Sequence, residues 1–306
     1  MARTMGTGNW TRRNFFRFGA VAGTAAIGGP ALLTACSEVP QGGSGEGGTL
    51  QRIKEAGTIK IGIAGEVPYG YTEGGKVTGE APEVAKAVFK AMGVDNVEPT
   101  QVEFGQLIPA LNAGEFDMVA AGMAVRPDRC KNAAFSSVDY VTPTALMVPK
   151  GNPQGVKNFE DVKAKGLAIA VLSGTIEQEV AKAAGIAADK IQPYDGQPEL
   201  FQALQDNRAY CGALTDISLK ELLKQNPGAA FEVTEGFTLE LNGEEQIQAG
   251  GFVFRKGEDD LVDAFNTELD KLHESGDWLA IVEPFGFTDA NLPPDDVTTE
   301  QLCQES

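Results

Sequence analysis

The segment Thr58-Ile59-Lys60-Ile61-Gly62-Ile63-Ala64 alternates apolar and polar positions before a turn containing Gly and Pro, which predicts a strand. Val84, Val88 and Met92 follow at helical spacing and predict a helix over 81–92, with Pro82 tolerated in its first turn. A short helix over 107–113, stopped at Gly114, and a buried strand over 117–123 come next. This order points to a mostly parallel sheet with covering helices. It recurs downstream as a strand over 167–172, a helix over 175–184 with Thr175 and Gln178 spaced as a capping box, a helix over 200–207 and a strand over 211–214. Leu107, Ala110 and Leu111 ahead of Phe116-Asp117-Met118-Val119 parallel Leu200, Ala203 and Leu204 ahead of Ala209-Tyr210-Cys211-Gly212, so two similar lobes are expected. Strand-like connectors over 144–148 and 246–254 join them, and an amphipathic helix over 260–275 follows through Leu261, Phe265, Leu269 and Leu272. Two crossings return the chain to a discontinuous first lobe, an arrangement suited to hinge closure around a ligand.

Composition narrows the classes. The chain has 306 residues, room for two domains, and its 42% hydrophobic and 22% charged content excludes disordered and collagen-like chains. A formal charge of −18 argues against a nucleic-acid partner. One His and four Cys leave little for a zinc cluster, so no metal and no cofactor is expected.

The N-terminal stretch reads as an address. Arg3, Arg12, Arg13 and Arg17 are the charges of residues 1–35, and the apolar run over 18–33 is too short and weak for a permanent span. Arg12-Arg13-Asn14-Phe15-Phe16 resembles a twin-arginine export signal, and Leu33-Thr34-Ala35-Cys36 resembles a lipobox, which implies lipidation of Cys36 and cleavage before it. Residues 42–48 form a flexible tether. The expected organisation is a signal peptide over 1–35, lipidated Cys36 and linker over 36–49, lobe I over 50–145 plus 252–306, and lobe II with hinge strands over 146–251. The mature protein is then exported and held at the outer face of the cytoplasmic membrane.

Several motifs occur in one order: Ile61-Gly62-Ile63-Ala64-Gly65-Glu66-Val67-Pro68-Tyr69, Val77-Thr78-Gly79-Glu80-Ala81-Pro82-Glu83, Ala121-Gly122-Met123-Ala124-Val125-Arg126-Pro127-Asp128-Arg129, Ser173-Gly174-Thr175 and Glu283-Pro284-Phe285-Gly286-Phe287. From about Leu50 onward the chain resembles the family 3 solute-binding proteins of ABC importers. Within them it is most similar to the ectoine/hydroxyectoine-binding branch, through Gly79-Glu80-Ala81-Pro82, Cys130 after Arg129, and Leu302-Cys303. The resemblance implies an α/β, bilobed, periplasmic-binding-protein-like fold of type II with a two-strand hinge. It further implies a monomeric, non-enzymatic receptor that passes a small zwitterion to permease subunits in the membrane. A polar or cationic amino acid is the alternative ligand, and a cyclohexadienyl dehydratase-like enzyme on the same fold is the rival class.

The resemblance also assigns the cleft. Arg129 clamps the ligand carboxylate through its planar fork, helped by main-chain N–H groups of Gly174 and Thr175 at a strand-to-helix turn. Thr175 also reads as a helix cap. Glu66 meets the cationic side, and Tyr69 and Phe104 supply walls. Ala124 stands where the branch has a third aromatic wall. Arg126 either adds a second cation near the carboxylate or points outward. Asp216 either faces the cleft, as the acid that holds an α-ammonium, or caps the following helix. The branch signature pairs Cys130 with Cys303 and leaves Cys211 as a small buried hydrophobe. His273, the lone His, reads as a surface residue near a helix C-terminus.

Overall fold

The computed structural model describes residues 48–241 and 244–304. The twin-arginine stretch and Cys36 lie outside the described residues. Thr49, the last residue of the expected linker, opens a helix, Thr49–Ala56.

Two sheets share one strand order. In the first, Asn96–Gln101, Thr58–Ile63 and Met118–Ala124 run parallel, and Ala249–Phe254 adds antiparallel to the last. In the second, Ile191–Tyr194, Ile169–Leu172 and Cys211–Thr215 run parallel, and Thr144–Pro149 adds antiparallel. The two antiparallel strands are exchanged along the chain. Thr144–Pro149 precedes the strands of its sheet and Ala249–Phe254 follows those of its own, so the chain crosses twice between sheets. The crossings lie side by side, with the Thr142 N–H donating to the Gln248 carbonyl at 2.9 Å and Val141 paired to Ala249. This is the periplasmic-binding, type II architecture.

Each sheet is covered on both faces. Phe265 of the helix Asp259–Ser275 sits against Phe252, Phe254 and Phe89 at ring separations of 4.7, 5.3 and 5.5 Å. On the opposite face Leu107, Leu111 and Phe116 are fully buried against Val119. The expected helix over 81–92 is Glu80–Ala91, and the strand over 117–123 is Met118–Ala124. The connector expected over 246–254 is a strand only from Ala249, because Glu244–Gln246 turns back on Leu239–Leu241 as a hairpin. Two strands with no sequence expectation, Asn96–Gln101 and Ile191–Tyr194, each carry a proline, Pro99 and Pro193. Both are edge strands, the position where a missing N–H costs no ladder bond.

Cys130 and Cys303 are joined, with Cα atoms 5.6 Å apart and a sequence separation of 173. The bridge fastens the C-terminal turn Thr299–Leu302 beside the short helix Pro127–Cys130, which carries Arg129. Thr299 Oγ1 also donates to the Ser136 carbonyl at 2.6 Å. Cys211 is buried and free, its thiol pushed to a higher pKa by burial alone. Closing so long a loop constrains the unfolded chain, so Cys303→Ser should cost about 2–4 kcal/mol. Urea unfolding with and without reductant checks this: reductant should lower the midpoint of the native chain to that of the variant and leave the variant unmoved.

Candidate functional site

The carboxyl ends of the parallel strands meet at the crevice between the sheets, the usual ligand position in open α/β folds. A cavity lies there, lined from both sides by Glu66, Tyr69, Phe104, Ala124, Arg129, Tyr140, Thr175, Glu177, Thr215 and Gln248, among others.

One wall is aromatic. Tyr69 and Tyr140 stack at 5.4 Å with Phe287 edge-on to both. Two glycines let the rings lie against the sheet. A Cβ at Gly122, whose φ is +61°, would be driven into the Tyr69 ring, and one at Gly250 into the Tyr140 ring. The Tyr140 hydroxyl donates to the Gly122 carbonyl at 2.9 Å, and the Tyr69 hydroxyl donates to Thr215 Oγ1 at 2.8 Å. Burial holds both phenols well above their ordinary pKa.

Arg129 is buried, 8% exposed. Its Nη1 donates to the Ala124 carbonyl at 2.8 Å and its Nη2 to the Gly174 carbonyl at 3.0 Å, while its carbon lies 5.3 Å from the Phe104 centroid. No carboxylate among the described residues pairs with it. Desolvation first, and the neighbouring Arg126 charge second, bring its pKa down to about 10, so it stays cationic at neutral pH. Glu66, 7% exposed, accepts from Ser218 Oγ at 2.7 Å. Burial pushes its pKa up to about 7, with a smaller push from Glu177 and an opposing pull from the Ser218 bond. Glu177, also buried, accepts from Thr144 Oγ1 and Gln248 Nε2 at 3.3 Å each, and burial raises its pKa.

The lobes are drawn together by direct bonds. The Gln197 amide donates to the Val67 carbonyl at 2.9 Å and accepts from the Val67 N–H at 3.3 Å, a two-point grip on backbone. Ser218, Thr215 and the Gly174 carbonyl add the bonds already described. Gly174 has φ +79°, and a Cβ there would stand 3.0 Å from the Gly105 Cα, so the lobes touch at paired glycines.

Not every expected residue reaches the cleft. Asp216 does neither thing expected of it. Thr215, not Asp216, caps the helix Asp216–Gln225, and the Asp216 carboxylate is taken by Thr142 at 2.9 Å and Lys220 at 2.5 Å outside the cavity lining. Arg126 also lies outside the lining. It pairs with Asp128 at 3.0 Å and, across the lobes, with Glu179. The Gly174 N–H is not open to a ligand, because the Gln178 side chain accepts it at 2.9 Å. That bond replaces the expected capping box. Thr175 occupies the cap position of Ile176–Ala183 but turns its hydroxyl back to the Leu172 carbonyl at 3.0 Å. His273 is packed rather than free at the surface, its ring 5.2 Å from Trp278 and its Nε2 3.4 Å from Asp139. Sequence reasoning missed Tyr140, Glu177 and Gln248. Gln248 sits on a crossing, and Glu177 follows the Ser-Gly-Thr turn by two residues, the one positional signal available.

Two lobes closed on a polar, aromatic-walled cavity with paired crossings define a bilobed ligand-trapping receptor. Residues 59–288 match the bacterial extracellular solute-binding proteins, family 3, and the chain belongs to that family. It is a solute-binding protein of an ABC transporter, of the class that delivers small ligands to membrane permeases. It is 31% identical over 259 residues to a probable amino-acid ABC transporter periplasmic-binding protein, y4tE, of Sinorhizobium fredii (strain NBRC 101917 / NGR234), covering 83% of this chain and 86% of that one. The crystal structure of EhuB in complex with hydroxyectoine is similar at 34% identity and a TM-score of 0.76, covering 84% of this chain and 98% of that one. The ancestral amino acid-binding protein AncCDT-1, a precursor of cyclohexadienyl dehydratase, is similar at 28% identity and a TM-score of 0.68, covering 78% and 99%.

The raised Glu66 pKa has a sign. Its folded value, about 7, exceeds the ordinary 4.5. Its contribution is therefore fully present below about pH 4.5 and is lost as pH climbs through 7, by up to about 3 kcal/mol. Calorimetric melting from about pH 4.5 to about pH 7.5 should show Glu66→Gln flattening part of that decline. An unchanged slope in the variant would assign the decline to other groups.

Proposed function

We propose that the cleft takes a small zwitterionic compatible solute of the hydroxyectoine type. The observation that carries this reading is Arg129, a buried cation with no acid partner among the described residues, lining one cavity with Glu66 and the aromatic rings. A ligand carboxylate supplies the missing counter-charge to the guanidinium fork. The cationic end lies toward Glu66 and the faces of Tyr69, Tyr140 and Phe104. Tyr140 offsets the lack of an aromatic side chain at Ala124. Asp216, bonded to Thr142 and Lys220, is withdrawn from the role of α-ammonium partner, which favours a solute without a free ammonium. The likeness to the hydroxyectoine complex supports the same ligand class.

One observation favours a cationic amino acid instead. Glu177 adds a second carboxyl to a cavity with one guanidinium, and with both acids ionised the lining is one negative charge in excess. The raised pKa of Glu66 returns the balance toward a net-neutral solute near neutrality. The receptor binds and releases without chemical turnover; product formed from a bound solute would move it to the dehydratase class. It is held to the outer face of the membrane by lipid at Cys36, on the strength of Leu33-Thr34-Ala35-Cys36 and the tether behind it.

Titration calorimetry with hydroxyectoine and with arginine tests the ligand. Hydroxyectoine should bind and arginine should not, Arg129→Ala should weaken binding by at least about 100-fold, and Arg129→Lys by about tenfold. Tight arginine binding alone would replace the reading with the amino-acid one. Fractionation of expressing cells checks the anchor: Cys36→Ser should move the protein from the membrane to the soluble exported fraction.

A further inference from the structure

Glu80 belongs to Gly79-Glu80-Ala81-Pro82 and has no part in the cleft chemistry above. It opens the helix Glu80–Ala91 and is wholly buried, and neither carboxyl oxygen meets a donor among the described residues. Asp139, 1% exposed, lies beside it. Asp139 Oδ1 already accepts from Trp278 Nε1 at 2.8 Å, with His273 Nε2 3.4 Å away. Two carboxyls side by side in a dry interior repel when both are ionised, and the donor that removes the conflict is a proton held between them.

The pair stands behind the tyrosine wall. Asp139 immediately precedes Tyr140 and its N–H donates to the Gly250 carbonyl at 2.8 Å. The Glu80 N–H donates to the Pro68 carbonyl at 2.9 Å, and the Ala81 N–H to the Tyr69 carbonyl at 3.0 Å. A Cβ at Gly79 would meet the Tyr69 carbonyl oxygen at 2.6 Å, so the turn carrying Glu80 is pressed against the Tyr69 backbone. We propose that Glu80 is a positioning residue: its carboxyl proton, shared with Asp139, clamps together the two backbone segments that carry Tyr69 and Tyr140 and so sets the wall of the ligand cleft.

The consequence depends on pH. Burial, and the Asp139 charge behind it, raise the Glu80 pKa. The clamp is therefore intact on the acid side and lost as pH rises through the folded-state value. The groups facing the pair are His273 and the Trp278 indole on one side and the Tyr69 and Tyr140 phenols on the other, with Glu66 acting on the phenols from beyond. Glutamine at position 80 keeps a donor toward Asp139 and does not titrate; leucine keeps the bulk and loses the donor.

The test uses the full chain with Trp10→Phe and His273→Gln, so that Trp278 is the sole indole and no imidazole titrates against it. Trp278 emission followed from about pH 5 to about pH 10 should show a transition that Glu80→Gln abolishes. This arm needs no ligand, so it stands or falls apart from the proposed solute. The calorimetric arm rests on the hydroxyectoine reading. The ratio of Glu80→Gln to native affinity should grow about tenfold from the acid to the alkaline side of that emission transition, one pKa unit of coupling between the pair and the ligand. Glu80→Leu should melt cooperatively and bind weakly on both sides of it. An emission transition that persists in Glu80→Gln, or an affinity ratio that stays constant with pH, overturns the proposal.

Discussion

The structure is organised by a desolvated cation that has no acid partner among the described residues. Arg129 lies between the two sheets with one guanidinium nitrogen on the Ala124 carbonyl and the other on the Gly174 carbonyl. Carbonyl oxygens satisfy its donors without cancelling its charge. A buried charge left in that state is costly, and the cost falls when an anion enters. Because the two carbonyls belong to different lobes, the same side chain senses closure and senses ligand. The short helix Pro127–Cys130 that presents it is fixed on one side by Pro127 and on the other by the bridge to Cys303, so little freedom is left for the guanidinium to swing outward.

Around that charge, closure is written mostly in bonds the ligand does not make. The Gln197 amide reads the Val67 backbone much as a neighbouring strand would, and Ser218 ties Glu66 to the opposite lobe. Arg126 and Glu179 add an ion pair at the rim. These contacts exist only when the lobes meet, and each is individually modest. Their sum is available to any solute that neutralises the interior charges, so selection among solutes falls to the cavity lining, to the tyrosine stack and to the balance between Arg129, Glu66 and Glu177.

Much of this was legible from residue order. Alternation at 58–64 and helical spacing at 81–92 located the first βα unit within a residue or two, since those elements bury one side continuously. The proline-bearing edge strands were invisible because an edge needs neither full burial nor a complete ladder. Glu66 was legible from its place after the first strand, where such folds carry site chemistry, and Arg129, Tyr69 and Phe104 through the family resemblance. Tyr140 was not, since its place against Tyr69 depends on Gly122 and Gly250 from two other strands. The choice left open at Arg126 and the misplacing of Gly174 and Asp216 have one common reason. Each had a closer partner, Glu179, Gln178 or Lys220, that side-chain geometry supplies and residue order does not.

The acid pair behind the wall completes the same logic. A cleft that binds a zwitterion must hold its aromatic faces at fixed spacing while both lobes move. Tyr69 sits on a turn and Tyr140 on a segment leading into a crossing, neither of which is rigid by itself. Hydrophobic packing against Phe287 supports their edges but leaves their backbones separately mounted. A hydrogen bond between Glu80 and Asp139 joins those mounts at the one depth where solvent cannot compete. An apolar pair there would fill the space without fixing direction. A shared proton fixes both, which accounts for two carboxyl side chains set beside each other at 0% and 1% exposure.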